Sequence, residues 1–365
     1  MVNASAGNQR AAPFGPARRW VALAAVAAGA LALVLLPVAS RPGPAIPGIV
    51  PLFAAGLLIT ELSTSYLLLV RFRAVPTWSI LLLGCAYFYS GLMPIPHLLT
   101  FPGAVLADRP LVGTSSQSTS WLYVSWINGF ALLSLIAVSL QVRFSEHRIA
   151  SKNLGRAVAA GVCLTAAAAL TVVVLAVAAP SRLPSMVSGQ RFTDLSLLAS
   201  YLSVVFLAAS IATGLLGIGE QNRLFLWLTL ALTGMAFANV VSTVGGGRFT
   251  VGWTIGRLSW LASAGVLFVY LMVLHARDQQ LWSHARQLLS GGAEGEGVII
   301  REAIPAALET FVARENVMRY RRMLEEPSDE AHRQVLLRMV EEEETRLKRL
   351  DLSRTERPPK QPSEK

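Results

Sequence analysis

The chain has 365 residues, 53% of them hydrophobic and only 15% charged, with a mean hydropathy of +0.50. A soluble domain averages about 25% charged residues, so an ordinary soluble enzyme or binding module is excluded. The net charge of +10 could point to nucleic acid, but its placement argues otherwise. Up to His275 the acids are Glu61, Asp108, Glu146, Asp194 and Glu220, and the Arg and Lys residues sit mostly in short links between apolar runs. That is a topology signal and implies no nucleic-acid partner. The residues after His275 carry nearly balanced charge.

A helix needs about 20 apolar residues to cross a bilayer. In chain order, a cytoplasmic N-terminal segment over 1–19 precedes eight such runs: 20–40, 46–70, 76–96, 121–142, 157–179, 195–218, 223–244 and 252–275. The predicted fold class is therefore all-α, a polytopic membrane helical bundle of about eight transmembrane helices with a short cytoplasmic helical hairpin tail. The first run, with Arg18 and Arg19 before it and Pro37 to Ser40 after it, also has the layout of a cleavable signal peptide. Cleavage would leave seven spans and the same orientation.

Orientation follows the positive-inside rule. With the N-terminus inside, the cytoplasmic links hold Arg10, Arg18, Arg19, Arg71, Arg73, Arg143, Arg148, Lys152, Arg156 and Arg223. The external links hold Arg41, Arg109, Arg182, Arg191 and Arg248. Both termini are thus expected in the cytoplasm. Cys85 and Cys163 lie in apolar runs and act there as small hydrophobes, with no disulfide or metal implied.

Glu61 falls about ten residues before Arg71, hence about 15 Å from the inner surface and close to mid-bilayer. An acid there costs about 2.5–3.5 kcal/mol on insertion scales. It should face the bundle interior, protonated or hydrogen-bonded, either as a structural group or as a functional one. Arg257, about 27 Å from the inner surface, can snorkel outward. Asn239 in the seventh run reads as interhelical glue. The last four runs read mainly as packing scaffold.

The densest unusual stretch runs from Ala86 to Gly103, followed by Gln117 and by Trp121 to Phe130. Pro94 and Pro96 should break the third helix at its outer end. Pro102 and Gly103 favour a turn. The loop should fold back onto the bundle, because irregular backbone at membrane depth needs protein or water against it. Trp121, Tyr123 and Trp126 suit the membrane–water interface. His97 beside two prolines is a satisfied loop histidine or a group that reads a ligand or proton. Glu61 and the His97 loop are expected to line one cavity opening outward.

These residues carry a resemblance. Ala86-Tyr87, Ile95-Pro96-His97, Thr100-Phe101-Pro102-Gly103, Gln117, Trp121-Leu122-Tyr123, Trp126 and Gly129-Phe130 resemble the bacterial membrane-associated sensor family MASE, specifically its fourth type. Glu61 to Leu68 also looks like that family's second-span pattern. In layout the resemblance covers roughly 20–275, with its specific motifs within 60–130. It implies a multi-pass protein of the bacterial inner (cytoplasmic) membrane, with a sensory domain that usually precedes a diguanylate cyclase or another signalling output. The family pattern has a histidine after the second tryptophan; Ile127 stands there here, followed by Asn128. Glu61, Tyr87, His97, Thr100, Phe101, Pro102, Trp121, Tyr123 and Trp126 are the candidate ligand-binding residues, with Arg257 and Asn239 as secondary candidates.

Beyond the spans, 276–297 reads as a juxtamembrane helix ending in a Gly-rich linker. Two helices should follow within 298–350. Ile304, Leu308, Phe311, Val317, Tyr320 and Leu324 recur at helical spacing in the first; Leu336, Val340, Leu347 and Leu350 do so in the second. Ser328 can cap the second helix. Residues 351–365 read as disordered. The tail has no GGDEF motif, nucleotide-binding glycine loop or kinase core. His97, His147, His275, His284 and His332 are scattered without metal spacing. No cofactor, metal or catalytic residue is therefore expected. The functional expectation is an integral membrane sensory protein that detects a small ligand or membrane-associated signal. It would relay this through its tail to a cytoplasmic signalling protein or by homo-oligomerising. The alternative is a small-solute or proton-coupled transporter using Glu61. An intramembrane lipid-modifying enzyme is a third reading, with no catalytic constellation to support it.

Overall fold

The computed structural model of the protein describes residues 16–290, apart from 45, 47, 108, 114–115, 146, 179–181 and 220–221, together with 317, 324 and 330–355. Its helices are α1 (Pro16–Ala39), α2 (Ile49–Ala74), α3 (Trp78–Leu92), α4 (Pro94–Thr100), α5 (Ser116–Phe144), α6 (Leu154–Ala178), α7 (Asp194–Gly217), α8 (Arg223–Val244), α9 (Val251–Ser290) and α10 (Glu330–Thr355). Eight stretches are long and apolar enough to cross a membrane, with α3 and α4 counted as one. The chain divides into two compact units, Met1–Arg277 and Asp278–Lys365.

Burial divides the spans of the first unit into inner and outer ones. The α3–α4 span and α8 are the most enclosed, whereas α1 and α6 are nearly bare. Small residues explain the inner position of α3. Ser65 of α2 donates to the Gly84 carbonyl at 2.8 Å, and a Cβ on Gly91 would sit 2.6 Å from the Leu62 side chain. Association within lipid depends on such close packing, because lipid tails are as apolar as leucine. The bare spans α1 and α6 present leucine, valine and alanine outward, as a lipid-facing surface requires.

Met93 interrupts the third span. Pro94 lacks the N–H that would bond the residue 90 carbonyl, so α3 stops at Leu92 and α4 starts afresh at Pro94. The expected break is present, but a second helical turn follows it at once. His97 N–H reaches the Met93 carbonyl at 3.1 Å.

The end of the bundle carrying α4 is called upper here. Its links are sewn together by backbone bonds: Gly43 N–H to Phe249 O at 2.8 Å, and Val251 N–H to Arg41 O at 2.9 Å. Between α6 and α7 lies a small antiparallel hairpin, β1 (Val187–Ser188) and β2 (Arg191–Phe192). It is tied to the α8–α9 link through Phe192 N–H to Gly246 O at 2.9 Å and Arg248 N–H to Gln190 O at 2.8 Å. Gln117 clamps it from α5. The Gln117 Oε1 accepts from the Met186 and Val187 N–H groups at 2.7 and 3.2 Å, and its Nε2 donates to the Val187 carbonyl at 2.8 Å. Replacing Gln117 by alanine removes all three bonds. The hairpin is then expected to open locally at a cost of about 1–3 kcal/mol, read as faster amide exchange over 187–192 with α8 unchanged.

In the second unit, α10 buries Leu336 and Val340. It runs on to Thr355, five residues into the stretch expected to be disordered; Leu352 and Arg354 continue its helix-forming composition. The predicted first tail helix, the Gly-rich linker, the Ser328 cap and 356–365 lie outside the described residues, except that Val317 and Leu324 are each helical.

Candidate functional site

Two small cavities in the membrane unit hold most of the predicted site residues, while Thr100, Pro102, Trp121 and Trp126 line neither. The upper one is lined by His97, Phe101, Thr119, Ser120, Tyr123, Val124, Phe192, Ser196, Ser200, Asn239, Ser242, Thr243, Arg248, Trp253 and Arg257. The lower one is lined by Glu61, Tyr87, Phe130, Ala231, Leu232, Met235, Trp260, Ser263 and Ala264. Glu61 and His97 therefore do not share a cavity, contrary to expectation. Aromatic rings stand between them. Trp126 packs against Trp260 (centroids 4.8 Å), Phe53 (6.0 Å) and His97 (5.9 Å).

A chain of hydrogen bonds and one ring contact nonetheless runs from Glu61 to His97. The Glu61 carboxyl is bonded by the side chains of Ser90 and Trp260. Trp126 Nε1 donates to Ser90 Oγ at 2.7 Å, and the Trp126 ring meets His97. Glu61 is almost fully buried, and its Oε2 has no partner.

Trp126 is completely buried. It is a core residue and not an interfacial one, because Ser90 satisfies its indole N–H and three rings enclose it. Tyr123 lines the upper cavity. Trp121 fits the interfacial expectation better: its Nε1 donates to the Pro184 carbonyl at 3.0 Å, and it lines neither cavity. Thr100 ties the backbone, donating to the Pro96 carbonyl at 2.8 Å and accepting at its own carbonyl from Thr119 at 2.6 Å. Pro102 sits in the following turn. Phe101 closes the upper cavity against Trp253 and Phe249 (6.3 and 6.2 Å).

Arg257 does not snorkel. It is 4% exposed, with its guanidinium carbon 3.7 Å from the Trp253 ring centre and 5.1 Å from that of Tyr123. Cation–π contact on two faces replaces part of the water it has lost. Its Nη1 reaches the Trp253 carbonyl at 3.4 Å, and its Nε has no partner. The turn of α9 that carries it is drawn close to α8. A Cβ on Gly256 would stand 2.7 Å from the Ala238 carbonyl oxygen, and one on Gly252 would collide with that of Val241. Arg248 enters from the α8–α9 link, where Gly246 takes the left-handed φ of 70°. Its Nη2 donates to Ser120 at 2.8 Å, and its guanidinium lies 5.2 Å over Phe101. Burial lowers the Arg248 guanidinium to about 10, which still leaves it charged at neutral pH.

Asn239 has both a packing role and a place at the cavity wall. Its Nδ2 donates to the Ser200 carbonyl at 3.1 Å and to Ser203 Oγ at 2.5 Å, stitching α8 to α7. Helix α6 lines neither cavity, but the scaffold reading of the last four spans fails for α7, α8 and α9, which supply nearly half of the upper cavity wall. Ser196, Ser200, Ser242, Thr243, Arg248 and Trp253 were the functional candidates missed. A signal was available: Ser196, Ser200 and Ser203 fall three or four residues apart, and so do Asn239 and Ser242–Thr243, each set making one polar stripe on an otherwise apolar span. Among the described residues, no group of three or more His, Cys, Asp or Glu could hold a metal ion.

The fold and this buried polar centre define a polytopic all-α membrane protein with a small polar cavity inside its bundle. Residues 44–275, well over half the chain, match the family model described as "Membrane-associated sensor, integral membrane domain" (MASE4). The chain belongs to that family of membrane sensor domains. No curated protein and no solved structure matches it. The family match covers both cavities and leaves α1 and the tail outside it.

Proposed function

We propose that the protein is a sensory transducer whose upper cavity takes a small ligand and whose C-terminal helices pass occupancy to a cytoplasmic partner. The Arg and Lys distribution supports both termini being cytoplasmic and the upper end facing away from the cytoplasm, in a bacterial inner membrane. One observation carries the reading. Five helices, α4, α5, α7, α8 and α9, converge on one cavity lined by two arginines, a histidine, an asparagine and several hydroxyls. Buried polar groups in lipid are costly and collect at functional sites. Helix α9 holds Trp253 and Arg257 in that cavity and is also the last helix before the tail. Ligand-dependent repositioning of α9 is the simplest route to the output.

The transporter reading rests on Glu61 and its unpartnered Oε2. Proteoliposomes containing the full chain and an entrapped pH dye decide between the two. The sensor reading expects proton flux no greater than in empty liposomes, for the native chain and Glu61→Gln alike. Flux that Glu61→Gln abolishes would establish the transporter instead. Photocrosslinkers at the exposed α10 positions Leu337 and Met339 are expected to trap either a cytoplasmic signalling protein or a second copy of the chain in living cells. Crosslinking to neither would count against a relay through the tail.

A further inference from the structure

The wall of the upper cavity carries buried donors that lack a partner. Three buried nitrogens on its wall have no hydrogen-bond partner: Arg257 Nε, Trp253 Nε1 and His97 Nδ1. Their residues are 4%, 1% and 1% exposed. The first two can only donate. A permanent guanidinium charge is buried beside them, and Arg248 brings a second into the same cavity. Among the described lining residues there is no Asp or Glu to set against the Arg257 charge. Buried donors and buried cations are normally paired. Arg257 Nε and Trp253 Nε1 are such donors left unpaired on residues of one cavity wall, and this makes the wall complementary to an acceptor-only, negatively charged group.

We propose that the cavity binds an oxyanion, a carboxylate or phosphate group, with Arg257 as its principal ligand. This rests on the upper cavity being the ligand site of the preceding section and names the chemistry it accepts. The guanidinium fork suits two oxygens side by side, and Trp253 and Ser196 line the same cavity with an N–H and a hydroxyl that can donate to the remaining lone pairs. Size limits the guest. The cavity holds about 20 Å³, room for one or two waters and far below the 300–1,000 Å³ typical of a drug-sized site. A head group of a few atoms enters, with any apolar body left outside. Free small anions and anionic lipid head groups both supply that chemistry.

The full chain in nanodiscs of neutral zwitterionic lipid separates the sources. Sodium acetate and sodium phosphate are titrated against sodium chloride at matched ionic strength, with tryptophan fluorescence and the thermal midpoint as readouts. Trp253 lies against Arg257 and should report occupancy. Saturable binding of acetate or phosphate, absent with chloride, is the expected result. Arg257→Gln should weaken it at least tenfold, and Arg257→Lys, which keeps the charge but loses the fork, should fall between. Should Arg257→Gln fail to fold, Ser196→Asp decides: the built-in carboxylate should raise the midpoint and abolish anion binding. A response seen only when phosphatidylglycerol replaces the neutral lipid, and lost in the same variants, identifies the head group as the source. No saturable response in either lipid, or full binding by both Arg257→Gln and Ser196→Asp, overturns the proposal. Binding is measured without reference to signalling. A bound anion that moves no tail helix would defeat the transducer reading and leave this one standing.

Discussion

Truncating Trp126 to alanine is expected to destabilise the membrane unit by about 3–5 kcal/mol. The indole is wholly enclosed, and its ring is shared by Phe53, Trp260 and His97. Few helices can close over a hole at that depth, since α3 and α5 are already held at small-residue contacts. A Cβ on Gly129, for instance, would lie 2.6 Å from the Tyr89 ring. Trp126→Phe separates the two contributions. It keeps most of the packing and removes only the bond from Nε1 to Ser90, so its cost should be nearer about 0.5–1.5 kcal/mol. Thermal unfolding in one detergent, across native, Phe and Ala forms, gives the comparison. A midpoint for Trp126→Ala equal to the native one would mean that the aromatic partition between the cavities has been misplaced.

Gly256→Leu is expected to have the second large effect, about 1–3 kcal/mol from overpacking. Its Cβ would press on the Ala238 carbonyl oxygen at 2.7 Å and on the Ser242 Cβ at 2.8 Å. Neither a backbone oxygen nor a Cβ can swing aside, so α9 must move away from α8 and carry Arg257 with it. The variant should therefore lose both thermal stability and any ligand response. Gly265→Leu is the control on the same helix, with nothing within 4 Å of its Cβ. It should be neutral or slightly stabilising, because leucine is the better helix former. Equal midpoints for the two variants would refute the close α8–α9 approach.

The contrast between Glu61 and Arg257 shows how far the residues themselves could be read. Glu61 was legible because its distance from Arg71 along a helix gives its depth, and an acid at that depth must turn inward. Arg257 was not, since a long cationic side chain near a span end has two solutions, snorkelling or burial. Trp253 is its local neighbour four positions earlier on α9, but only the Tyr123 and Phe53 rings, brought to it by the fold, select burial. Trp126 is a similar case. Tryptophan near a span end is at home in the interface, and nothing in its local sequence announces that Ser90 waits inside to accept its N–H. His97 could be picked out by its prolines, but its companions Arg248, Ser196 and Ser242 come from links and spans up to about 150 positions further along the sequence.

The amino-acid sequence by itself determined that this is a polytopic α-helical membrane protein, since runs of about twenty apolar residues admit no other solution in lipid. It also determined the break at Pro94, the depth of Glu61, and membership of the sensor family through the Tyr87-to-Phe130 motifs. Tertiary structure alone decided which spans are central, that Glu61 and His97 occupy separate cavities, and that α7, α8 and α9 build nearly half of the upper one. The physical reason is that lipid and bundle interior are equally apolar. A transmembrane helix therefore carries little hydrophobic contrast to say which face turns inward, and its neighbours are chosen by small-residue fit and by hydrogen bonds between distant positions.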